Sequence, residues 1–212
     1  MPATKLKIKN MQNSEVLEEL RLIKKTMRGV MNGMTSTSMR NKGLTYKVNF
    51  GVELPRLQEM SAEFSHTYAL SSLLWKEDIR ECRLLAGMLM PVEEFDAELA
   101  DIWVDQMRFT EEAECTVMHL FSRAPWASVK SFEWIASDKP MAQLCGYLLL
   151  ARLFMNGNKM QDRDEMEYLD QTASDLHNET PNVRNAALKC LYKYMDLGDK
   201  EAENGDRILD AL

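Results

Sequence analysis

The stretch FTEEAECTVMHLF, residues 109–121, crowds Glu111, Glu112 and Glu114 into four residues, with His119 behind them. Carboxylates this dense, beside an imidazole, are raw material for general acid–base chemistry, in which a positioned side chain takes or gives a proton at the reacting atom. The same residues also suit the start of a buried helix. Thr110 is then the N-cap, and Glu111 and Glu112 lie in the first turn, where the helix dipole favours each negative charge by about 0.3–1 kcal/mol. His119 reads as a partly buried ring rather than a base. Glu114 is spaced three and four residues from Val117 and Met118, toward the apolar side, where a carboxylate without a partner is costly. It is either a polar edge or a functional carboxylate facing a groove.

A second chemistry lies in cations. Arg21, Lys24, Lys25 and Arg28 share one side of a helical stretch, opposite Val16, Leu20, Ile23, Met27 and Val30. Arg40, Lys42 and Lys47 follow, on a segment that reads as a loop and that could fold beside the stripe. Such a patch either holds phosphates or is a solvated face balanced by Glu18 and Glu19. The charge of the whole chain narrows the first option. Of 212 residues with net charge −7, Met1 to Arg83 hold 14 Lys+Arg against 9 Asp+Glu, whereas Leu84 onward holds 12 against 24. A polyanion gripped along the entire length is thereby disfavoured, and duplex DNA gripped by the N-terminal part is allowed.

Other chemistries find no support. His66, His119 and His177 are far apart with no partner at ligand spacing, so neither a metal nor a cofactor is expected. No Gly-rich phosphate loop or G-x-S-x-G elbow occurs. Cys82, Cys115, Cys145 and Cys190 lack CxxC spacing and fall among apolar helix residues, which predicts buried, reduced thiols. No run is long and apolar enough for a membrane span, and MPATKLKIKN lacks a signal-peptide core, so a cytoplasmic protein without a membrane partner is expected.

The elements that must position these residues are helices. With 9 Gly, 6 Pro and 16 Met, punctuation is sparse and helix formers are common. Ser14 is the candidate cap of the first helix, with residues 1–13 a flexible basic segment. NGMTSTSMRNKG reads as a loop, and Pro55 opens the next helix. Helices then start near Asp78, Thr110, Pro140 and Pro181, each with a cysteine in its apolar face, and VEEFDAELADIWVDQM, WASVKSFEWIAS and DEMEYLDQTASDLH supply their companions. A helix pair every 30–45 residues or so is the mark of an α-solenoid. The expectation is an all-α, HEAT-repeat-like α-solenoid, an armadillo-like superhelix of antiparallel helix pairs. Residues 1–212 form one domain in this reading, with an acidic segment at 198–212. Trp75, Leu84, Leu85, Leu148, Leu149, Ala187 and Leu191 are expected in its core.

FGVELPRLQEMSAEF followed by ALSSLLWKEDIRECRLLAGML resembles the HEAT-like DNA alkylation repair family, the alkylpurine DNA glycosylases. The resemblance implies binding of damaged duplex DNA in a basic groove and hydrolytic release of N3- or N7-alkylated purines. It further implies an Asp, one turn after a Trp, that stabilises positive charge on the sugar, with a second Trp and an Arg lining the groove. Carried over, Glu114 stands at the Asp and Thr110 at the first Trp. The Arg falls on Gln143 or Leu144, and the second Trp on or beside Lys189. One carboxylate survives, longer by a methylene, and a displacement of that size costs about 100-fold.

Three functions follow as expectations. The first is a divergent, non-catalytic nucleic-acid-binding or scaffold module of this family. The second is a glycosylase with Glu114 as its catalytic carboxylate. The third is a HEAT scaffold for a protein partner, with no DNA role.

Overall fold

Twelve α-helices carry the described chain, and among the described residues no strand forms; one isolated parallel bridge joins Val48 to Ile79. The computed structural model describes the backbone of residues 2–211 and the side chains of residues 14–211. The all-α expectation therefore holds. The chain divides into two compact units, residues 1–94 and 95–212.

The first unit holds α1 (Pro2–Gly29), α2 (Gly33–Asn41), α3 (Leu54–Ser61), α4 (Tyr68–Trp75) and α5 (Arg80–Leu89). Ser14 lies inside α1 and is not its cap. The side chains of residues 1–13, expected to form a flexible segment, lie outside the described residues. NGMTSTSMRNKG, read as a loop, is largely the helix α2. Its Ser and Thr are poor helix formers, yet Asn32 caps it by accepting from Thr35 N–H at 3.1 Å. Tertiary bonds then tie it down: Asn32 N–H donates to the Phe50 carbonyl at 2.8 Å, and the Ser36 hydroxyl to the Asn49 carbonyl at 2.8 Å. Gly51 makes that approach possible. It has φ +71°, and a Cβ there would sit 2.2 Å from the Asn32 oxygen.

The resemblance-bearing segment DIRECRLL turns out to be a clamp. Arg80, Glu81 and Arg83 are all buried, although charged residues are normally surface residues. Glu81 accepts from Phe50 N–H at 3.1 Å and Val52 N–H at 3.2 Å, while Arg80 donates to the Val52 carbonyl at 2.8 Å and pairs with Glu81 at 3.3 Å. The Arg83 guanidinium lies 3.8 Å from the Trp75 ring centre and donates to the Trp75 carbonyl at 2.8 Å. Arg80 and Glu81 fix the 48–52 connection onto α5, and Arg83 ties the end of α4 to it.

The second unit holds α6 (Ala97–Gln106), α7 (Thr110–His119), α8 (Ala127–Ile135), α9 (Pro140–Met155), α10 (Asp162–Asp175), α11 (Pro181–Met195) and α12 (Asp199–Leu209). Pro140 and Pro181 open their helices as expected. The acidic segment 198–212 supplies α12, which packs on α11. α9 is the axis of the unit, packed against α7, α8 and α11. Gly146 lets α8 and α9 approach closely, since a Cβ there would meet Ile135 N at 2.7 Å and Ser131 O at 2.8 Å. Phe95, Trp103, Phe121, Trp126 and Trp134 form an aromatic core, with Trp126 donating to the Phe95 carbonyl and Trp134 to Asp101. All four cysteines are free and buried, as expected, and burial pushes the Cys190 thiol up to about 12. Trp75, Leu84, Leu85, Leu149, Ala187 and Leu191 are buried as expected, but Leu148 is not; it faces a groove.

Candidate nucleic-acid groove

Three helices of the second unit present the same face to one groove of about 430 Å³. α7 gives Glu114, Val117 and Met118, and α9 gives Leu148, Ala151, Arg152 and Met155. α11 gives Lys189, Tyr192 and Lys193. Each set follows i, i+3, i+4 spacing, extended to i+7 by Met155 on α9, and so forms one stripe of a helix surface. Because α9 packs against both of the others, it makes the floor, and α7 and α11 make the walls. The walls meet near their first turns, where Asn182 donates to the Thr110 hydroxyl at 3.0 Å.

Thr110 is the first residue of α7 rather than its cap; Phe109 holds the cap position and offers no side-chain bond. Glu111 and Glu112 lie in the first turn as expected, yet Glu112 is buried and accepts from Arg108 N–H at 2.7 Å. It closes the helix start in place of a capping hydroxyl. Glu114 is exposed, lines the groove, and has neither a hydrogen bond nor an ion pair among the described residues.

Gln143 and Leu144, where sequence register puts the family's Arg, are both buried and do not line the groove. Gln143 instead accepts from Asn178 at 3.5 Å. An Arg nevertheless reaches the groove from the same helix: Arg152, half-buried and without an ion pair among the described residues. Lys189 lines the opposite wall, exposed and equally unpaired, whereas Lys193 is held by Asp196 at 2.8 Å. One aromatic ring, Tyr192, is present and 48% exposed. No tryptophan lines this groove.

The groove is thus apolar below and cationic at its rim, in a unit with 12 Lys+Arg against 22 Asp+Glu. His119, half-buried at the end of α7, has its pKa held below the ordinary 6.5 by burial and by the nearby positive charges of Arg152 and Arg123. A neutral ring there leaves the rim's charge to Arg and Lys.

The basic stripe belongs to the first unit. Arg21, Lys25 and Arg28 are exposed on α1 and unpaired among the described residues, but Lys24 is half-buried in an ion pair with Glu77. Lys24 is therefore a structural cation and not a free phosphate ligand. Arg40 sits on α2, not on a loop; Lys42 is its C-cap residue, and Lys47 is exposed beyond it. Among the described residues, no cluster of three His, Cys, Asp or Glu forms a metal site, and no helix is long and apolar enough to cross a membrane.

Helix faces are the signal that finds the missed residues. Aligning the triplets 114/117/118, 148/151/152 and 189/192/193 picks out Arg152, Tyr192 and Lys193 without reference to any family. No curated protein matches the sequence. One solved structure is similar in fold, with TM-score 0.79 at 14% identity, over 89% of this chain and 81% of that one. It is described as representing a new family of proteins related to the HEAT-like repeat DNA glycosylases with affinity for branched DNA structures. The fold is accordingly the HEAT-like repeat fold. The sequence model of the DNA alkylation repair enzyme family matches residues 23–196, most of the chain, and the protein belongs to that family.

Proposed function

We propose that this protein binds DNA and does not release alkylated purines. The observation that carries the reading is the groove rim. Arg152 and Lys189 are unpaired cations on one groove of an otherwise acidic unit, next to an apolar floor. Cations left free in this way suit phosphates, with sugars or unstacked bases lying on the floor. Family membership supports a DNA-related function, and the similar fold with affinity for branched DNA makes branched duplexes the first ligand to try. Arg21, Lys25, Arg28, Arg40, Lys42 and Lys47 add a second set of phosphate contacts in the first unit.

Against purine release stand the site's dimensions. Glu114 carries its charge about one bond further from the backbone than an Asp, and such misplacement costs about 100-fold. A cationic alkylbase is attracted to aromatic faces, and this groove has Tyr192 alone. Excision with Glu114 as the carboxylate is the second reading, favoured by that residue's exposure and lack of a partner.

Fluorescence anisotropy with duplex and three-way-junction DNA at low salt tests the proposal. Binding should fall with salt at a slope of about −0.9 per phosphate held. Charge reversal at Arg152 and Lys189 should remove most of it, and reversal at Lys25 and Arg28 a further part. No binding, or binding indifferent to both reversals, refutes the reading. Release of 3-methyladenine that disappears in Glu114→Gln establishes the second one instead.

A further inference from the structure

Lys189 and Glu114 are an amine and a carboxylate on opposite walls of one groove, each without a partner among the described residues. From the Thr110–Asn182 bond that joins the walls, Glu114 is four residues along α7 and Lys189 seven along α11. At about 1.5 Å per residue these are rises of about 6 Å and 10.5 Å, so the two differ in height by about one turn. The other lysine of the groove, Lys193, is engaged by Asp196. The volume, about 430 Å³, lies within the range of small-ligand sites.

Resting on the DNA-binding reading, we infer that this groove acts on abasic deoxyribose in DNA, with Lys189 as nucleophile and Glu114 as base. A sugar without a base fits what the groove offers. There is no pair of rings to sandwich a purine, but Leu148 and Ala151 give an apolar bed for a bare sugar, and Arg152, lining the same groove, would take a flanking phosphate. An abasic deoxyribose opens to an aldehyde at C1′, an electrophile for an amine.

The step balances without any added oxidant or reductant. The neutral Lys189 amine, its ammonium proton gone to solvent, adds to C1′, and loss of water leaves a protonated imine. The Glu114 carboxylate removes a proton from C2′. The electron pair of that C–H bond forms the C2′–C3′ double bond as the C3′–O3′ bond breaks, and the 3′ strand departs with a 5′-phosphate. Water then hydrolyses the imine, frees the Lys189 amine and releases the unsaturated aldehyde on the 5′ strand.

The full chain, mixed with a duplex containing a single abasic site and treated with cyanoborohydride, should give a covalent protein–DNA adduct. Lys189→Arg keeps the cation and removes the imine-forming amine, so binding of the same duplex by anisotropy should persist while the adduct is lost. Lys193→Arg should retain it. Glu114→Gln should still be trapped but cut the strand about 100-fold more slowly, the usual loss when a general base is removed. If the duplex binds and no adduct forms, or Lys189→Arg is trapped as well as the unmodified protein, the amine chemistry is wrong and the DNA-binding reading stands. Failure to bind the duplex at all overturns both.

Discussion

Replacing Glu81 by Ala should destabilise the first unit more than any change at Glu114. The Glu81 carboxylate is fully buried and accepts two backbone N–H bonds, at 3.1 and 3.2 Å, while facing Arg80 at 3.3 Å. Truncation removes the acceptor of two buried donors, at about 1–3 kcal/mol each, and the counter-charge of a buried guanidinium, at about 3–5 kcal/mol. These costs share one carboxylate and do not add, because the loop relaxes and water enters. An overall loss of about 3–5 kcal/mol is expected, against a total stability of about 5–15 kcal/mol. At about 2–4 °C per kcal/mol for a chain of this size, the melting temperature should drop by about 6–20 °C. Glu81→Gln keeps the shape but leaves one accepting oxygen and also removes the counter-charge of Arg80, so it should cost about 3–5 kcal/mol as well. Thermal unfolding followed by circular dichroism, with urea titration as the second probe, measures both. Glu114→Gln is the control, because its exposed, unpaired carboxylate should change stability by less than about 0.5 kcal/mol. If Glu81→Ala also stays within about 0.5 kcal/mol of the unmodified protein, the clamp does not hold the 48–52 connection.

Three further outcomes are expected. Gly51→Ala forces a side chain into the left-handed region and against the Asn32 carbonyl, so it should cost at least about 1–2 kcal/mol and protect the amides of α2 less in hydrogen exchange. Leu85→Ala, at a position with no exposure, should lose about 2–5 kcal/mol in a urea titration through lost burial and the cavity left behind. His119 is harder to protonate folded than unfolded, so the unfolded chain takes up more protons as pH falls below 6.5. Folding stability should therefore decline over that window, and melting curves of His119→Gln across the same pH range should decline less.

Helix starts were legible because their signals are local: Pro140 and Pro181 each pre-set a first turn, and the cysteines marked buried faces. α2 was not, since its cap and its bonds to Asn49 and Phe50 come from residues that composition cannot place beside it. The burial of Arg80, Glu81 and Arg83 was hidden for the same reason; they bond to backbone groups some 8 to 31 residues away. The groove was half legible. Glu114 stood out by its spacing from Val117 and Met118, and Lys189 only as the place of the family's second Trp, but PMAQLCGYLLLARLF is apolar on nearly every side, so nothing local says which stripe of α9 looks outward. Register taken from the resemblance alone therefore put the Arg at Gln143 or Leu144, while Arg152 is the residue that reaches the groove.

The two kinds of information sit on different residues. The resemblance is strongest in the segment around LWKEDIRECRLLAGML, and in the structure that segment locks the 48–52 connection through Arg80 and Glu81 and holds Trp75 through Arg83, with no part in the groove. Its role is to hold the first unit together. In the proposed function the groove of the second unit carries the chemistry, through Glu114, Arg152, Lys189 and Tyr192, and there the carryover from the family is poorest. A chain can belong to a family by its fold while the residues of its groove differ, since a fold hosts a site without dictating it. For this reason Glu114→Asp alone should not install purine release. It would restore one carboxylate length while leaving Lys189, a cation, on the wall where a positively charged alkylbase would have to lie, and like charges there oppose its binding.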